Sequence, residues 1–267
     1  MSIFIPADRL DALARKFGAG PYAQPTPQPA IKSSAVFSVR EDGKNFLLSL
    51  PSVGEIKLLS TLAVGGAEKT RSEWQEYSRI NLEGVVVPSS VVIYQILRGL
   101  YHTNDDSVRE KCVLSLRQKF YSMFITGTKV VYKTGLEATI SHMQLDENNH
   151  LVDIEIPEFT RYNNDWSYLM LASEQEESAL GRVETIPDNA KPFLEALFGE
   201  GYEEAGAVFQ YIRLQKNNNL REVRLWTPTA TNRNTERALV FGRVGNDGLS
   251  VECSVYGSWP ALGVIYT

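Results

Sequence analysis

Residues 88–124 read PSSVVIYQILRGLYHTNDDSVREKCVLSLRQKFYSMF, and this stretch decides the fold class. Pro88 suits the first turn of a helix, where a missing N–H costs little. After a polar turn, Ser107 and Glu110 have the spacing of a capping box, which starts a second helix. The stretch therefore predicts a helical hairpin. The first helix should bury one face, formed by Val92, Ile93, Ile96, Leu97 and Leu100.

Three short strands are predicted directly after the hairpin. Residues 136–141 and 152–156 alternate apolar and polar side chains, which is the period of an antiparallel strand with one buried face. Residues 129–133 are the expected partner across the turn at Gly135. We therefore expect the polar side chains, such as Thr139 and Ser141, on the solvent side of the strand.

The rest of the chain alternates short periodic segments with turns. Asp42-Gly43 is a strong hairpin signal, and residues 67–79 fit either a helix or a loop. Strands are further predicted at 35–40, 45–50, 56–64, 82–87, 168–172, 223–226, 238–244, 249–255 and 262–267, and helices at 173–180, at 188–199 and from Tyr202. The predicted fold class is α+β, with mixed, mainly antiparallel sheets, a central helical hairpin (88–124) and a second helix pair (188–213).

Chain length and proline content suggest the domain organisation. Residues 1–30 combine a short helical pattern with alternating prolines, which favour an extended arm. The arm can fold back on its own chain or reach a neighbouring molecule, and the sequence leaves both open. Residues 31–267 are predicted to form a single α+β domain, with 158–187 as an alternative boundary region.

Composition narrows the class of protein. The net charge is −5 and the sequence isoelectric point is about 5.4, which opposes binding to double-stranded nucleic acid. The two cysteines lie far apart on predicted apolar faces, so we expect buried free thiols in a reducing cytoplasm. No apolar stretch is long enough for a membrane span, and charged residues interrupt the N-terminus. We expect a cytoplasmic protein without membrane contact.

Charge is unevenly distributed along the chain. Residues 137–204 hold 16 acidic and 3 basic side chains, a balance of 3 − 16 = −13, whereas residues 213–243 hold 7 basic and 2 acidic ones, a balance of 7 − 2 = +5. The two segments can neutralise each other within the fold or between copies of the chain. Alternatively, the basic segment can receive an anion.

The loop at 227–237 is the preferred place for such an anion. It is long, polar and rich in threonine, asparagine and arginine, which are donors suited to phosphate or carboxylate. A polar surface loop without a ligand explains the same composition. The candidate ligand-binding residues are Arg224, Asn232, Arg233 and Arg237.

The histidines suggest two further sites. His142, Asp146 and His150 fall within nine residues in a predicted strand connection, where they could ligate a divalent metal, although a solvated turn fits equally well. His102 follows the first helix beside two aspartates and is a weak candidate for a general acid or base. A histidine stabilised by the helix C-terminus is the alternative.

No P-loop, GxGxxG turn, GxSxG elbow or CxxC pair occurs, so we expect no cofactor. The leading hypothesis is a non-catalytic module that binds a protein partner, itself or a small anionic ligand. The first alternative is an enzyme that acts on an anionic substrate through the arginine-rich loop. The second is binding of single-stranded RNA along the same basic segment.

Overall fold

The structure, a computed structural model, describes residues 37–51, 53–103, 107–120, 123–135, 137–146, 148, 150–160, 168–175, 178–183, 185–213, 222–226, 234–244, 248–254 and 257–267. The predicted arm at 1–30 lies outside these residues. In the described part of the chain the α-helices are α1 (Arg71–Ile80), α2 (Ser90–His102), α3 (Ser107–Phe120), α4 (Lys191–Phe198) and α5 (Ala205–Arg213). None of these helices is long and apolar enough to cross a membrane.

The strands form two sheets. They are β1 (Ser38–Asp42), β2 (Asn45–Leu50), β3 (Gly54–Leu62), β4 (Phe124–Tyr132), β5 (Glu137–Leu145), β6 (Leu151–Thr160), β7 (Tyr168–Gln175), β8 (Ser178–Val183), β9 (Glu222–Trp226), β10 (Thr235–Val244), β11 (Gly248–Ser254) and β12 (Leu262–Tyr266). The smaller sheet has the order β1-β2-β3-β12, and the larger one has the order β6-β5-β4-β10-β11-β9-β7-β8. Neighbouring strands are antiparallel except β9 and β11, which are parallel. The predicted α+β class with mainly antiparallel sheets is confirmed.

The helical hairpin of α2 and α3 is also confirmed. All five residues of the predicted stripe on α2 are buried. The helix begins at Ser90, two residues after Pro88, because Ser89 is the N-cap: its side chain accepts the N–H of Val92. Pro88 therefore precedes the cap and is not part of the first turn. The carbonyl of Pro88 instead accepts the N–H of Gly127 on β4 at 2.8 Å, which ties the start of α2 to the larger sheet.

Polar groups on α2 hydrogen bond to the segment that joins the second helix pair, α4 and α5. Gln95 Nε2 donates to the carbonyl oxygen of Glu200 at 2.8 Å, and the Tyr94 hydroxyl donates to the carbonyl oxygen of Gly201 at 2.5 Å. These carbonyls lie in the connection between α4 and α5. The Tyr94 and Gln95 side chains of α2 therefore contact the second helix pair of the same chain.

Two arginines of α3 donate hydrogen bonds to carbonyl groups near the C-terminal ends of neighbouring helices. Arg109 Nε donates to the carbonyl oxygen of Leu100 near the end of α2, at 2.7 Å. Arg117 donates to the carbonyl oxygens of Tyr211 and Ile212 near the end of α5, both at 2.8 Å. The last carbonyls of a helix lack partners within the helix, and a cation there is also favoured by the helix dipole. These side chains therefore stabilise the helical layer.

Three predictions of local structure are wrong. Residues 82–87 form only an isolated bridge at Val86, and residues 173–175 and 178–180 belong to strands β7 and β8 instead of a helix. Thr139 and Ser141 are buried, because β5 is an inner strand that is covered on both faces. For residues 173–175 and 178–180 and for β5, pairing with distant strands overrides the local pattern.

Gly99 provides a test of how α2 is packed. A Cβ at this position would overlap the ring of Phe37, which lies against the helix. Alanine favours a helix over glycine by about 1 kcal/mol, yet we expect Gly99→Ala to lower the free energy of unfolding by about 1–2 kcal/mol, because Phe37 must leave its contact. Urea unfolding measures this change. In a Phe37→Ala background the same substitution should instead stabilise; stabilisation in the wild-type background would contradict the packing.

Candidate functional site

His142 lies within strand β5 and not in the connection after it, and its side chain is 4% exposed. Its Nε2 hydrogen bonds to the carbonyl oxygen of Ala196 on α4, and its Nδ1 to the hydroxyl of Thr128 on β4, both at 2.8 Å. A carbonyl can only accept, so Nε2 carries the proton, and Nδ1 accepts from Thr128 in the neutral ring. Burial lowers the pKa of His142 to about 4. The ring is therefore neutral at pH 7.

Ser90 extends this network to the start of α2. Its N–H donates to Thr128 Oγ1 at 2.9 Å, and its hydroxyl donates to the carbonyl oxygen of Leu197 at 2.6 Å. The network therefore joins α2, the larger sheet and the end of α4. Buried polar groups with satisfied hydrogen bonds fix one packing arrangement. Because both of its nitrogens are used in this way, His142 stabilises the fold in the described state.

Asp146 and His150 form a turn after β5. Asp146 Oδ1 accepts the backbone N–H groups of Asn148 and His150, both at 2.8 Å, and the bond from His150 contributes most to keeping the pKa of Asp146 below its usual range. His150 Nδ1 lies 3.8 Å from Asp146 Oδ2. Within the described ranges, no three His, Cys, Asp or Glu side chains are grouped so that they could hold a metal ion. The structure thus separates these two residues from the buried His142.

His102 meets a carboxylate that the sequence analysis did not identify. Its Nε2 lies 2.5 Å from Glu204 Oε2, and Arg98 Nε donates to the same oxygen at 3.2 Å. Burial alone would raise the pKa of Glu204, but the hydrogen bonds from His102 and Arg98 outweigh it and lower the pKa. The His102 side chain is half-exposed. The cluster joins the end of α2 to the turn before α5.

The structure does not bring Arg224 and Arg237 together. Phe241 of β10 and Leu225 of β9 are paired with the same residue of β11, Val251, so they share a face of the larger sheet. Arg237 is four residues from Phe241 and lies on that face. Arg224 is adjacent to Leu225 and therefore lies on the opposite face. The two arginines therefore cannot bind one small anion from the same side of the sheet.

The other two residues of the predicted anion site, Asn232 and Arg233, lie outside the described residues. Directly after them, Asn234 Oδ1 accepts the N–H of Thr134 at 3.1 Å, which attaches the start of β10 to the turn after β4. Anion binding by this loop stays a prediction.

The end of α1 and the loop after it present apolar side chains to solvent. Leu82 is fully exposed and Ile80 is 66% exposed. Between them, the Asn81 side chain donates to the carbonyl oxygens of Tyr77 and Val85, at 2.9 and 2.7 Å, and accepts the N–H of Val85 at 2.8 Å. These three bonds fix the turn of the loop. Because Asn81 fixes this backbone, Leu82 stays exposed next to Ile80.

Helix α1 is itself a rigid support for this loop. Near its start, Arg71 Nη2 donates to Asp153 Oδ1 at 2.5 Å and to the carbonyl oxygen of Gly127 at 3.1 Å. One turn later, the fully buried Trp74 donates its indole N–H to the carbonyl oxygen of Trp259 at 2.8 Å. Both contacts reach distant parts of the chain, so the helix is attached independently of the loop.

Two opposite charges flank the exposed side chains. Arg79 and Glu83 are both exposed, and neither has an ion-pair partner among the residues that the structure describes. We call Arg79, Ile80, Leu82 and Glu83 the α1 loop patch. The run of apolar residues from Val85 indicates a strand, so the sequence alone does not reveal this patch.

Comparison with known proteins adds no relative: no family model, curated protein or solved structure matches the chain. The function must therefore be argued from the geometry of the site itself.

Proposed function

We propose that this protein is an interaction module that associates with a second copy of its own chain through the α1 loop patch. The observation that carries the proposal is Leu82, a leucine fully exposed on a loop that Asn81 holds in one conformation. A scattered exposed leucine on a mobile segment would need no explanation. A leucine on a fixed loop, between two charges that have no ion-pair partner in the described part of the chain, is suited to binding.

Burial of this patch supplies a driving force for association. Covering one leucine side chain contributes about 1.5–3 kcal/mol, and a symmetric dimer covers the residue twice. Because the three hydrogen bonds of Asn81 already order the loop, little conformational entropy is lost on binding. Apolar contact therefore favours association.

The charges of the patch favour a second copy as the partner. A two-fold interface brings the same surface of both molecules together, so a residue on one copy meets a different residue on the other. In that arrangement Arg79 of one copy can pair with Glu83 of the other, twice. The patch is thus self-complementary in charge as well as apolar at its centre.

The size of the patch sets the expected strength. Stable interfaces bury about 1,200–2,000 Å² in total, and a surface centred on two aliphatic side chains is smaller than that. We therefore expect a weak dimer, with a dissociation constant of about 0.05–1 mM.

Analytical ultracentrifugation of the full chain up to about 1 mM measures this equilibrium directly. We expect Leu82→Ser to weaken dimerisation at least about 100-fold, because both copies lose apolar burial. Leu114→Ser is the matched control: Leu114 is an exposed leucine on α3, outside the patch, and its loss should leave the dimer unchanged.

Charge exchange tests the two-fold arrangement. Arg79→Glu and Glu83→Arg should each weaken the dimer, since each places like charges opposite one another, and the double variant should restore it. A monomeric wild type at about 1 mM would overturn the proposal, as would equal loss of dimer in Leu82→Ser and Leu114→Ser. Failure of the double variant to recover would exclude the proposed symmetry.

A further inference from the structure

A serine and a lysine of α3 lie within hydrogen-bond distance of each other. Lys119 Nζ lies 2.7 Å from Ser115 Oγ and 3.4 Å from the carbonyl oxygen of Ser115. The residues are four apart, and helical side chains lean toward the N-terminus, so the lysine reaches back over the serine. The Ser115 hydroxyl also faces the carbonyl oxygen of Ser60 on β3, at a long 3.5 Å. The pair therefore lies between α3 and the smaller sheet.

The surroundings of the pair make the amine of Lys119 easier to deprotonate. Lys119 is only 6% exposed, and in the described part of the chain no carboxylate lies within salt-bridge distance of it. Burial lowers the pKa of Lys119 to about 8. Burial also raises the pKa of the neighbouring Cys112 to about 12, so the thiol stays protonated and supplies no negative charge. At pH 7 about a tenth of Lys119 is therefore unprotonated, and this fraction reaches about half at pH 8.

We infer that Ser115 is a nucleophile and Lys119 its general base, forming a site for acyl transfer from uncharged carboxylic esters. The unprotonated Nζ accepts the proton of the Ser115 hydroxyl while Oγ attacks the ester carbonyl carbon. The bond from this carbon to the leaving oxygen breaks, and the proton passes from Nζ to that oxygen. The products are an acylated Ser115 and a free alcohol, and water later releases the acid.

Exposure of the two residues is consistent with these roles. Ser115 is partly exposed, which lets a substrate reach its hydroxyl. Lys119 is buried, and burial favours the unprotonated form that a general base needs. An anionic substrate bound beside Lys119 would stabilise the charged form of its amine. Charging Lys119 would remove the base, so an uncharged ester fits the site. This site is distinct from the α1 loop patch and does not depend on dimerisation.

The probe for this inference is p-nitrophenyl acetate added to the full-length protein. Release of p-nitrophenolate reports the reaction, and peptide mass spectrometry locates the acetyl group. We expect acetylation of Ser115, with a rate that rises as the pH passes about 8, where Lys119 loses its proton. Ser115→Ala and Lys119→Met should each lower the specific rate at least about 100-fold.

Lys111→Met is the matched control, because Lys111 is an exposed lysine on the same helix. It should keep both the rate and the pH profile of the wild type. Urea unfolding of each variant verifies folding; Ser115→Ala is a small change and carries the test alone if Lys119→Met does not fold. Acetylation of Lys119 or of surface lysines while Ser115 stays unmodified would overturn the inference. So would a wild-type rate in Ser115→Ala.

Discussion

The His142→Ala protein is expected to be about 3–5 kcal/mol less stable than the wild type. The substitution leaves a cavity inside the larger sheet, and it leaves the Thr128 hydroxyl and the Ala196 carbonyl without their partner. Each buried polar group without a partner costs about 1–3 kcal/mol. Urea unfolding at pH 7 measures the loss. A loss below about 1 kcal/mol would show that the network does not hold the fold.

Two conservative variants separate the contacts of His142. His142→Asn places an oxygen near the position of Nδ1 and can accept from Thr128, whereas His142→Gln places an amide nearer Nε2 and can donate to Ala196. Each should recover part of the stability that His142→Ala loses. Equal stability of all three variants would contradict the role of these hydrogen bonds in the fold.

The same histidine makes stability depend on pH. Its pKa is lowered from 6.5 to about 4 by burial in the folded state, so between these values the unfolded chain binds more protons than the folded one. Folded-state stability is therefore lost as the pH falls from about 6.5 toward 4, by about 3 kcal/mol in total. His142→Gln lacks this titration, so its stability relative to the wild type should improve as the pH falls. A constant difference would contradict the shift.

Trp74→Ala is the second substitution with a large expected effect, about 3–5 kcal/mol of lost stability. Trp74 is fully buried, donates its indole N–H to the carbonyl oxygen of Trp259 and packs edge-on against Tyr77. Its removal opens a cavity beneath α1 and frees a buried carbonyl. Trp74→Phe keeps an aromatic ring and should lose less, about 1–3 kcal/mol.

The control for Trp74 is Glu76→Ala on the same helix. Glu76 is exposed, so its loss should change the free energy of unfolding by less than about 0.5 kcal/mol. Urea unfolding of the three variants gives the comparison. If Trp74→Ala were no more harmful than Glu76→Ala, α1 would not be anchored by its tryptophan, and the rigid presentation of Leu82 would lose its support.

The sequence predicted an element correctly where the spacing of its residues matched the burial of that element in the fold. The stripe from Val92 to Leu100 predicted α2, and Asp42-Gly43 predicted the turn between β1 and β2, since both depend on neighbouring residues. The helix through Phe193 and Leu197, which ends at Gly199, was found for the same reason. Such patterns record local geometry together with burial of one face.

These local patterns did not predict most features of the candidate sites. His142 looked like a residue of a polar connection, yet β4 and β6 enclose it on both sides of β5. Leu82 looked like the start of a strand, yet no strand pairs with it among the described residues. Ser115 and Lys119 are four residues apart on the predicted helix, but only burial in the folded protein makes that lysine unusual.

By itself, the sequence determined the helical hairpin, the second helix pair, most of the strands and therefore the α+β class, because short-range spacing sets backbone conformation. Tertiary structure alone decided which polar residues are buried. His142 meets Ala196 54 residues away, and Ser90 meets Leu197 107 residues away. Such contacts arise from the packing of distant elements, and no local period encodes them. The pKa of Lys119 and the exposure of Leu82 follow from the same packing.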